Sequence, residues 1–363
     1  MRTHLIRLLS FCCAVCLMGC GPAPLWRQES FVFGTRVELL IADVPEAQAR
    51  AAGNLVLAEF DRLHRSYHAW QPSELSALNA AIAAGQPHDV SPELAGYIRE
   101  SQAIAAASDY LFDPGIGRLI ALWGFQTDEI APHLPDETTL RLLMKQRPSI
   151  ADLHLDGLRI TSSNTAVALD FGGYLKGVAL DRAAAILRQA GIHDALINIG
   201  GNVMALGTKH GTPWRVGIQH PRPAMAGGAP LATLELRDGE AIGTSGDYQR
   251  YFEMRGHRYC HILDPRTGRP AEGTQAVTVL IAPGAGVGMR SDALSKPLFI
   301  AGDDWLRQAQ KLGVTAALKV GADGTVSATP PMRERLKMET SGSTARANMP
   351  AQEHQQQPGP ALE

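Results

Sequence analysis

The amino-acid sequence predicts an α+β fold, mixed β-sheets flanked by helices, and three observations carry that prediction. Short apolar runs with strand character recur at 166–170, 194–199, 214–218 and 276–282. Longer segments place apolar residues at helical spacing. Glycine and proline, 36 and 23 of the 363 residues, punctuate the joins between them. The length allows two domains as well as one large α+β unit.

Taken from the N-terminus, residues 1–20 read MRTHLIRLLSFCCAVCLMGC, with Arg2 and Arg7 as a cationic start and an apolar run over Leu8–Leu17. The segment is similar to a bacterial lipoprotein signal cleaved before Cys20, because the apolar run is short for a membrane span and small Gly19 precedes the cysteine. An uncleaved membrane anchor is the alternative, and either reading exports the remainder of the chain. Residues 20–28 are read as a tether, 29–338 as the folded part and 339–363, rich in Ser, Thr, Gln and Pro, as a disordered tail.

Within the folded part, Phe31–Ile41 reads as a strand interrupted near Gly34, where a bulge or a close ligand approach is expected. Ala47–His64 and Glu93–Ser108 read as amphipathic helices, the first with Leu55, Val56, Phe60 and Leu63 among its apolar positions. A further helix is expected at about Lys176–Ala190.

Composition narrows the function. With 45% hydrophobic and 19% charged residues, most of the chain folds rather than remaining disordered or fibrous. A formal charge of -2 leaves no basic excess to neutralise a phosphate backbone, which argues against nucleic acid as a partner. Removing residues 1–19 leaves 32 basic against 36 acidic residues, a formal charge of -4, and only Cys20 and Cys260 of five cysteines. Cys20 would carry lipid as a membrane tether, so no intrachain disulfide staples the fold. No Walker loop, Cys/His metal cluster or G-x-S-x-G elbow is present.

Five segments join glycine to polar residues at strand ends, where backbone amides approach phosphate and side chains converge. The first, Leu169–Asp181, contains Asp170, Gly172-Gly173 and Lys176 ahead of a helix, a suitable seat for an anionic diphosphate; a plain strand-to-helix turn with a surface lysine fits it as well. The second is Ile197–Val203 with paired Gly200 and Gly201, which also suits a bulge. Gly243–Tyr248 is the third. The fourth, Tyr259–Pro270, sets His261 before an Asp-Pro turn, a place for a loop-borne base or for a structural histidine. In the fifth, Arg290–Lys296, Asp292 and Lys296 share a helix face. Carboxylate and oxygen at that spacing suit magnesium, but an ammonium cannot ligate a cation, and an ordinary Asp-Lys surface pair fits equally.

In this order, and with Phe33-Gly34-Thr35, Ser73-Glu74-Leu75 through Asn79, and Phe112-Asp113-Pro114 leading to Leu122-Trp123-Gly124-Phe125, the chain resembles the ApbE family of FAD:protein FMN transferases from about Phe33 to about Leu336. The resemblance implies a single large T-fold-like domain on the periplasmic side of a bacterial membrane. It implies transfer of FMN from FAD to a Ser or Thr hydroxyl of an acceptor protein, a subunit of a membrane redox complex, with release of AMP. It places Phe33, Trp70, Leu111, Phe112, Asp113, Asp170, Lys176 and Leu263 at or near FAD contacts, with the loop around Trp70 departing from the usual tyrosine spacing. His261 is implied as general base. The Gly173 carbonyl and Asp292 carboxylate are implied as magnesium ligands with Ser295 as neighbour, while Lys296 replaces the family threonine. That replacement leaves two outcomes: a magnesium site rebuilt with more water, or an ammonium in the cation's place. It also keeps open an FAD-binding protein without transfer activity; a further alternative is an FAD pyrophosphatase, in which water replaces the acceptor hydroxyl to give FMN and AMP.

Overall fold

Eight strands form a single antiparallel sheet whose order in space is their order in the chain: β1 (Trp26–Val32), β2 (Thr35–Ile41), β3 (Ala195–Ile199), β4 (Asn202–Leu206), β5 (Ala241–Gly246), β6 (Thr274–Ile281), β7 (Ala316–Gly321) and β8 (Val326–Ala328). The computed structural model describes residues 25–222 and 228–338, so the signal-like segment, Cys20 and the segment 339–363 lie outside the described residues. Trp26–Gln28, expected in the tether, belong to β1 instead. The Trp26 ring lies over Gly53, where a methyl group would meet it at 2.4 Å, and this contact commits the strand to the sheet.

The helices relevant to function are α1 (Glu46–Ser66), α2 (Glu74–Ala83), α3 (Pro92–Ala107), α4 (Gly117–Leu122), α5 (Glu137–Gln146), α6 (Leu175–Gln189) and α7 (Val287–Ile300). Helix α1 buries Ala49, Ala52, Val56, Phe60 and Leu63, a helical stripe, whereas Leu55 faces solvent. Each large apolar side chain so buried contributes about 1.5–3 kcal/mol. Both faces of the sheet are covered. Val37, Leu39, Ile197, Val277 and Val279 pack with the helices, while Val203, Ile242, Ala276, Leu280 and Leu318 pack on a small sheet of Trp214–Ile218, Ala232–Leu236 and Leu336–Met338. Strand β6 is therefore buried along its whole length, and from Ala276 to Ile281 its sequence is apolar except for the buried Thr278, without the alternation of a half-exposed strand.

Two expected elements differ. Phe31–Ile41 is a hairpin: Phe33 and Gly34, at φ 57° and 66°, form a two-residue turn that pairs Val32 with Thr35. Residues 166–170 form no strand. Apart from a single parallel bridge between Ala168 and Ile116, their backbone is satisfied by the Asn79 side chain, which bonds both polar groups of Leu169 (2.7 and 2.9 Å), and by the Pro114 and Gly115 carbonyls, so no ladder forms.

A third apolar cluster joins α4 and α5 to the hairpin Tyr251–Met254/His257–Cys260, through Leu119, Trp123, Phe125, Leu140 and Phe252. Trp123 Nε1 donates to the Gly268 carbonyl at 2.7 Å. The aromatic segment near 123 and the histidine segment near 261 are thus held together across more than a hundred residues of chain.

Candidate functional site

In an antiparallel sheet that runs in chain order, alternate turns fall at one end. Here those are the β1–β2 turn (Phe33-Gly34), the β3–β4 turn (Gly200-Gly201, φ 57° and 92°) and the C-terminal end of β5 (Thr244 to Gly246). They open into a cleft of about 730 Å³, within the usual range for ligand pockets. Every residue that the family resemblance assigned, except Ser295, lies on its wall.

The apolar part of the wall is built by side chains with packing partners of their own. Phe33, held in a left-handed turn conformation that a bulky residue adopts only when its surroundings enforce it, sets its ring 6.0 Å from Phe60 and 5.6 Å from His64. Leu111, Phe112 and Leu263 are nearly buried, exposing only an edge to the cleft. Trp70 is 40% exposed, its ring edge-on to His68 at 4.5 Å. Asp113 is buried, and its Oδ1 already accepts the Gly115 and Ile150 amides at 2.8 and 2.9 Å; burial raises its pKa. Its carboxylate braces the turn as well as lining the cleft. Asp170 behaves similarly, accepting from the Gly172 amide at 2.9 Å and from Gln126 at 3.1 Å.

The charged part depends on a close helix crossing. Gly177 of α6 and Gly288 of α7 face one another so tightly that a methyl group on either would lie 2.3 or 2.5 Å from the other's carbonyl oxygen. Gly243 of β5 meets the Ser291 carbonyl at 2.0 Å by the same measure. Glycine is required at these positions by space alone. Asp181 secures the crossing by accepting the first amides of α7, Gly288 and Met289, at 2.8 and 2.9 Å. As a result Asp292, 0% exposed, sits against the start of α6: its Oδ2 accepts the Gly177 amide at 3.1 Å and lies 3.9 Å from Lys176 Nζ.

Asp292 and Lys296 are not a surface pair. Lys296 Nζ bonds Asp292 Oδ1 and donates to the Asp292 carbonyl at 2.7 Å, and its side chain is only 16% exposed. Its stem lies over Gly173, where a methyl group would be 3.2 Å from Lys296 Cε. Burial alone would raise the Asp292 pKa, but the Lys176 and Lys296 ammoniums and the nearby Asn202 amide outweigh it and hold the carboxyl below its ordinary range. Burial lowers the Lys296 pKa to about 8, Lys176 adds to the lowering, and Asp292 opposes it.

His261 comes directly after the strand His257–Cys260. Its Nδ1 lies 3.1 Å from the Arg250 carbonyl. A carbonyl only accepts, so Nδ1 carries the proton and Nε2 keeps its lone pair. Burial, then the charges of Lys176, Arg250 and Lys296, push its pKa down to about 3, leaving a neutral imidazole on the cleft wall. The neighbouring Cys260 thiol is buried and pushed up to about 12, which excludes it as a nucleophile near neutral pH.

These residues do not suit a divalent cation. Magnesium needs about six oxygens at roughly 2.0–2.1 Å in octahedral array. Asp292 Oδ1 is engaged by an ammonium, Oδ2 by a backbone amide, and the side chain at position 296 offers no oxygen. Ser295 is buried behind the wall, its hydroxyl bonded to Ser245 Oγ at 2.7 Å and donating to the Asp292 carbonyl at 2.8 Å, so it does not reach the cleft as the resemblance implied. Among the described residues no group of three or more His, Cys, Asp or Glu side chains could hold a metal. Repulsion between unit charges 4 Å apart is about 4 kcal/mol at an effective dielectric of 20, and a divalent ion beside Lys296 would double it.

Sequence reasoning missed Arg250. Its guanidinium lines the cleft while donating to the Phe125 and Thr127 carbonyls at 2.9 and 2.7 Å, and no glycine or strand end marks it in the sequence.

The family model described as "ApbE family" matches residues 33–318. A Rhodobacter capsulatus protein named FAD:protein FMN transferase is 44% identical over 90% of this chain, which spans 61% of that protein's length. A Klebsiella pneumoniae protein of the same name is 30% identical, covering 79% of this chain and 83% of its own. Among solved structures, the ApbE protein of Thermotoga maritima superposes with a TM-score of 0.77 at 28% identity, over 86% of this chain and 99% of that one. The flavinyl transferase ApbE of Pseudomonas stutzeri, in its apo form, gives 0.75 at 27%, over 90% and 100%.

Proposed function

The chain belongs to the ApbE family, and from that premise we propose that it transfers FMN from FAD to a serine or threonine hydroxyl of an acceptor protein. The observation that carries this reading is the convergence of a neutral His261 with the Lys176–Asp292–Lys296 cluster on one cleft wall. The acceptor oxygen attacks the phosphorus of the FMN half, and the bond from that phosphorus to the bridging oxygen breaks. The hydroxyl proton passes to His261 Nε2, and AMP leaves with the bridging oxygen. Such a reaction asks mainly for positioning and for charge to be neutralised. Phe33 and Trp70 offer aromatic surface for flavin or adenine, Lys176 and Lys296 face the diphosphate, and His261 takes the proton without first having to lose one.

Residues 1–20 support an exported chain, lipid-anchored through Cys20 on the periplasmic side of a bacterial membrane, with subunits of membrane redox complexes as acceptors. Among the described residues no helix is long and apolar enough to cross a membrane.

The test is incubation with FAD and a panel of candidate acceptor domains. Covalent fluorescent FMN on an acceptor, with AMP in equal amount, is the expected result. Free FMN and AMP made without an acceptor would indicate a pyrophosphatase, and FAD binding with no AMP would indicate a binding protein; either result defeats the transferase reading.

A further inference from the structure

We propose that Lys296 takes the place of a divalent cation in this chain, so that FAD binding and cleavage of its diphosphate proceed without magnesium. This rests on reading the cleft as the FAD site. The ammonium bonds both the side chain and the backbone carbonyl of Asp292, and its stem passes over Gly173. Those are the two positions at which the family resemblance implies metal ligands, and one lysine spans them. Lys176 stands 3.9 Å from the same carboxylate and donates to the Gly172 carbonyl at 2.7 Å. Two ammoniums therefore share a single buried carboxylate and leave a net positive face on the cleft, suited to a dianionic diphosphate.

The arrangement is fixed from behind. The close α6–α7 crossing at Gly177 and Gly288 sets Asp292 against the start of α6, where its Oδ2 accepts the Gly177 amide, and the Ser295–Ser245 bond holds a neighbouring residue of α7 against β5. A cation entering from solution would have to displace Lys296 from Asp292. The ammonium is covalently part of the chain, so its effective concentration at this point exceeds that of a free ion. It contributes charge and hydrogen-bond donors, and the electron balance of the transfer is unchanged: the proton goes to His261 and the leaving oxygen departs with AMP.

The experiment measures FAD affinity, and AMP formation in the presence of an acceptor, for the full chain after exhaustive chelation and again after magnesium is restored. Equal affinity and equal rate in both states are expected. Affinity or rate that appears only with magnesium overturns the proposal while leaving the transferase reading intact. FAD binding that ignores magnesium, but yields no AMP in either state, upholds the cation replacement for binding only and defeats magnesium-free cleavage together with transfer. Failure to bind FAD under either condition defeats both. Two variants sharpen the result. Lys296→Met, of similar length, should lose about 10- to 100-fold in FAD affinity whether or not magnesium is present, the range for one charge-assisted hydrogen bond. Lys296→Thr should show the same loss under chelation and recover when magnesium is added, because it frees Asp292 and supplies an oxygen. A Lys296→Met variant that keeps wild-type FAD affinity, with its circular dichroism unchanged, would overturn the proposal.

Discussion

Replacing Asp292 by asparagine tests the charge architecture directly. The substitution preserves volume and one acceptor oxygen but removes the negative charge that holds two ammoniums together. Breaking a buried ion pair by removing one partner costs about 3–5 kcal/mol. The lower end applies here, because Lys296 is 16% exposed and keeps its bond to the carbonyl of residue 292. The expected loss is therefore about 3 kcal/mol in urea unfolding monitored by circular dichroism, read as a lower midpoint with an unchanged slope. Saturating FAD should restore more stability to Asp292→Asn than it adds to the wild type, because the ligand's two phosphate charges supply what the carboxylate did. A loss below about 1 kcal/mol would show that the pair contributes nothing net to folding. Equal stabilisation of both proteins by FAD would refute the placement of the diphosphate beside these ammoniums.

The same geometry sets further outcomes. His261→Gln should retain FAD affinity while transfer falls by about 10²–10⁴-fold, measured as AMP released in the presence of acceptor; full turnover would refute the base assignment. His261 also sets a pH dependence. Its pKa is about 3 in the folded chain against 6.5 as the ordinary value, so the unfolded state takes up a proton first and stability declines as pH falls from about 6.5 toward about 3. His261→Gln should flatten that decline in denaturant titrations run across this window. Phe33→Ala should weaken FAD binding with little change in rate at saturation, since the ring packs on Phe60 and His64 at the cleft rim, away from the charged cluster. Gly177→Ala forces a methyl against the Gly288 carbonyl, and overpacking of this kind costs about 1–3 kcal/mol. Its thermal midpoint and its FAD affinity should fall together, because α7 carries Asp292 and Lys296.

What could be read from the sequence depended on how local the determinants were. The helix at Leu175–Gln189, the buried run of β6 and the glycine segments emerged from periodicity and from turn chemistry within a few residues. The α+β class and the gathering of Gly173, His261 and Asp292 into one cleft held as well, the latter through the order of the motifs rather than any one of them. Where apolar character and pairing part company, the sequence misled: residues 166–170 are as apolar as a strand, yet the Asn79 side chain and the 114–115 backbone absorb their hydrogen bonds. Leu55 fits the helical pattern but lies outside the buried stripe. Ser295 follows Asp292 by three residues on α7, but its hydroxyl is taken up by Ser245 of β5 and by the Asp292 carbonyl and stays behind the cleft wall, contacts that the sequence does not show. Arg250 was invisible because its role is set by the carbonyls of a loop more than a hundred residues away.

The Asp292–Lys296 spacing shows why a pattern of residue types needs its burial before its chemistry can be assigned. At i and i+4 on an exposed helix the pair would stabilise by about 0.3–0.5 kcal/mol and be screened by salt. On α7, pressed by two glycines against α6 and by a third against β5, Asp292 is fully buried and Lys296 only 16% exposed, so water screens the pair far less. The second ammonium of Lys176 then makes the cluster positive rather than neutral. An isolated buried cluster of that charge would be unfavourable to fold, and an anionic ligand at its open side offsets the cost. The glycine crossing, which sequence alone presents as a pair of ordinary small residues, is therefore what turns a helix-surface ion pair into the buried, net positive cluster at which the diphosphate is proposed to sit.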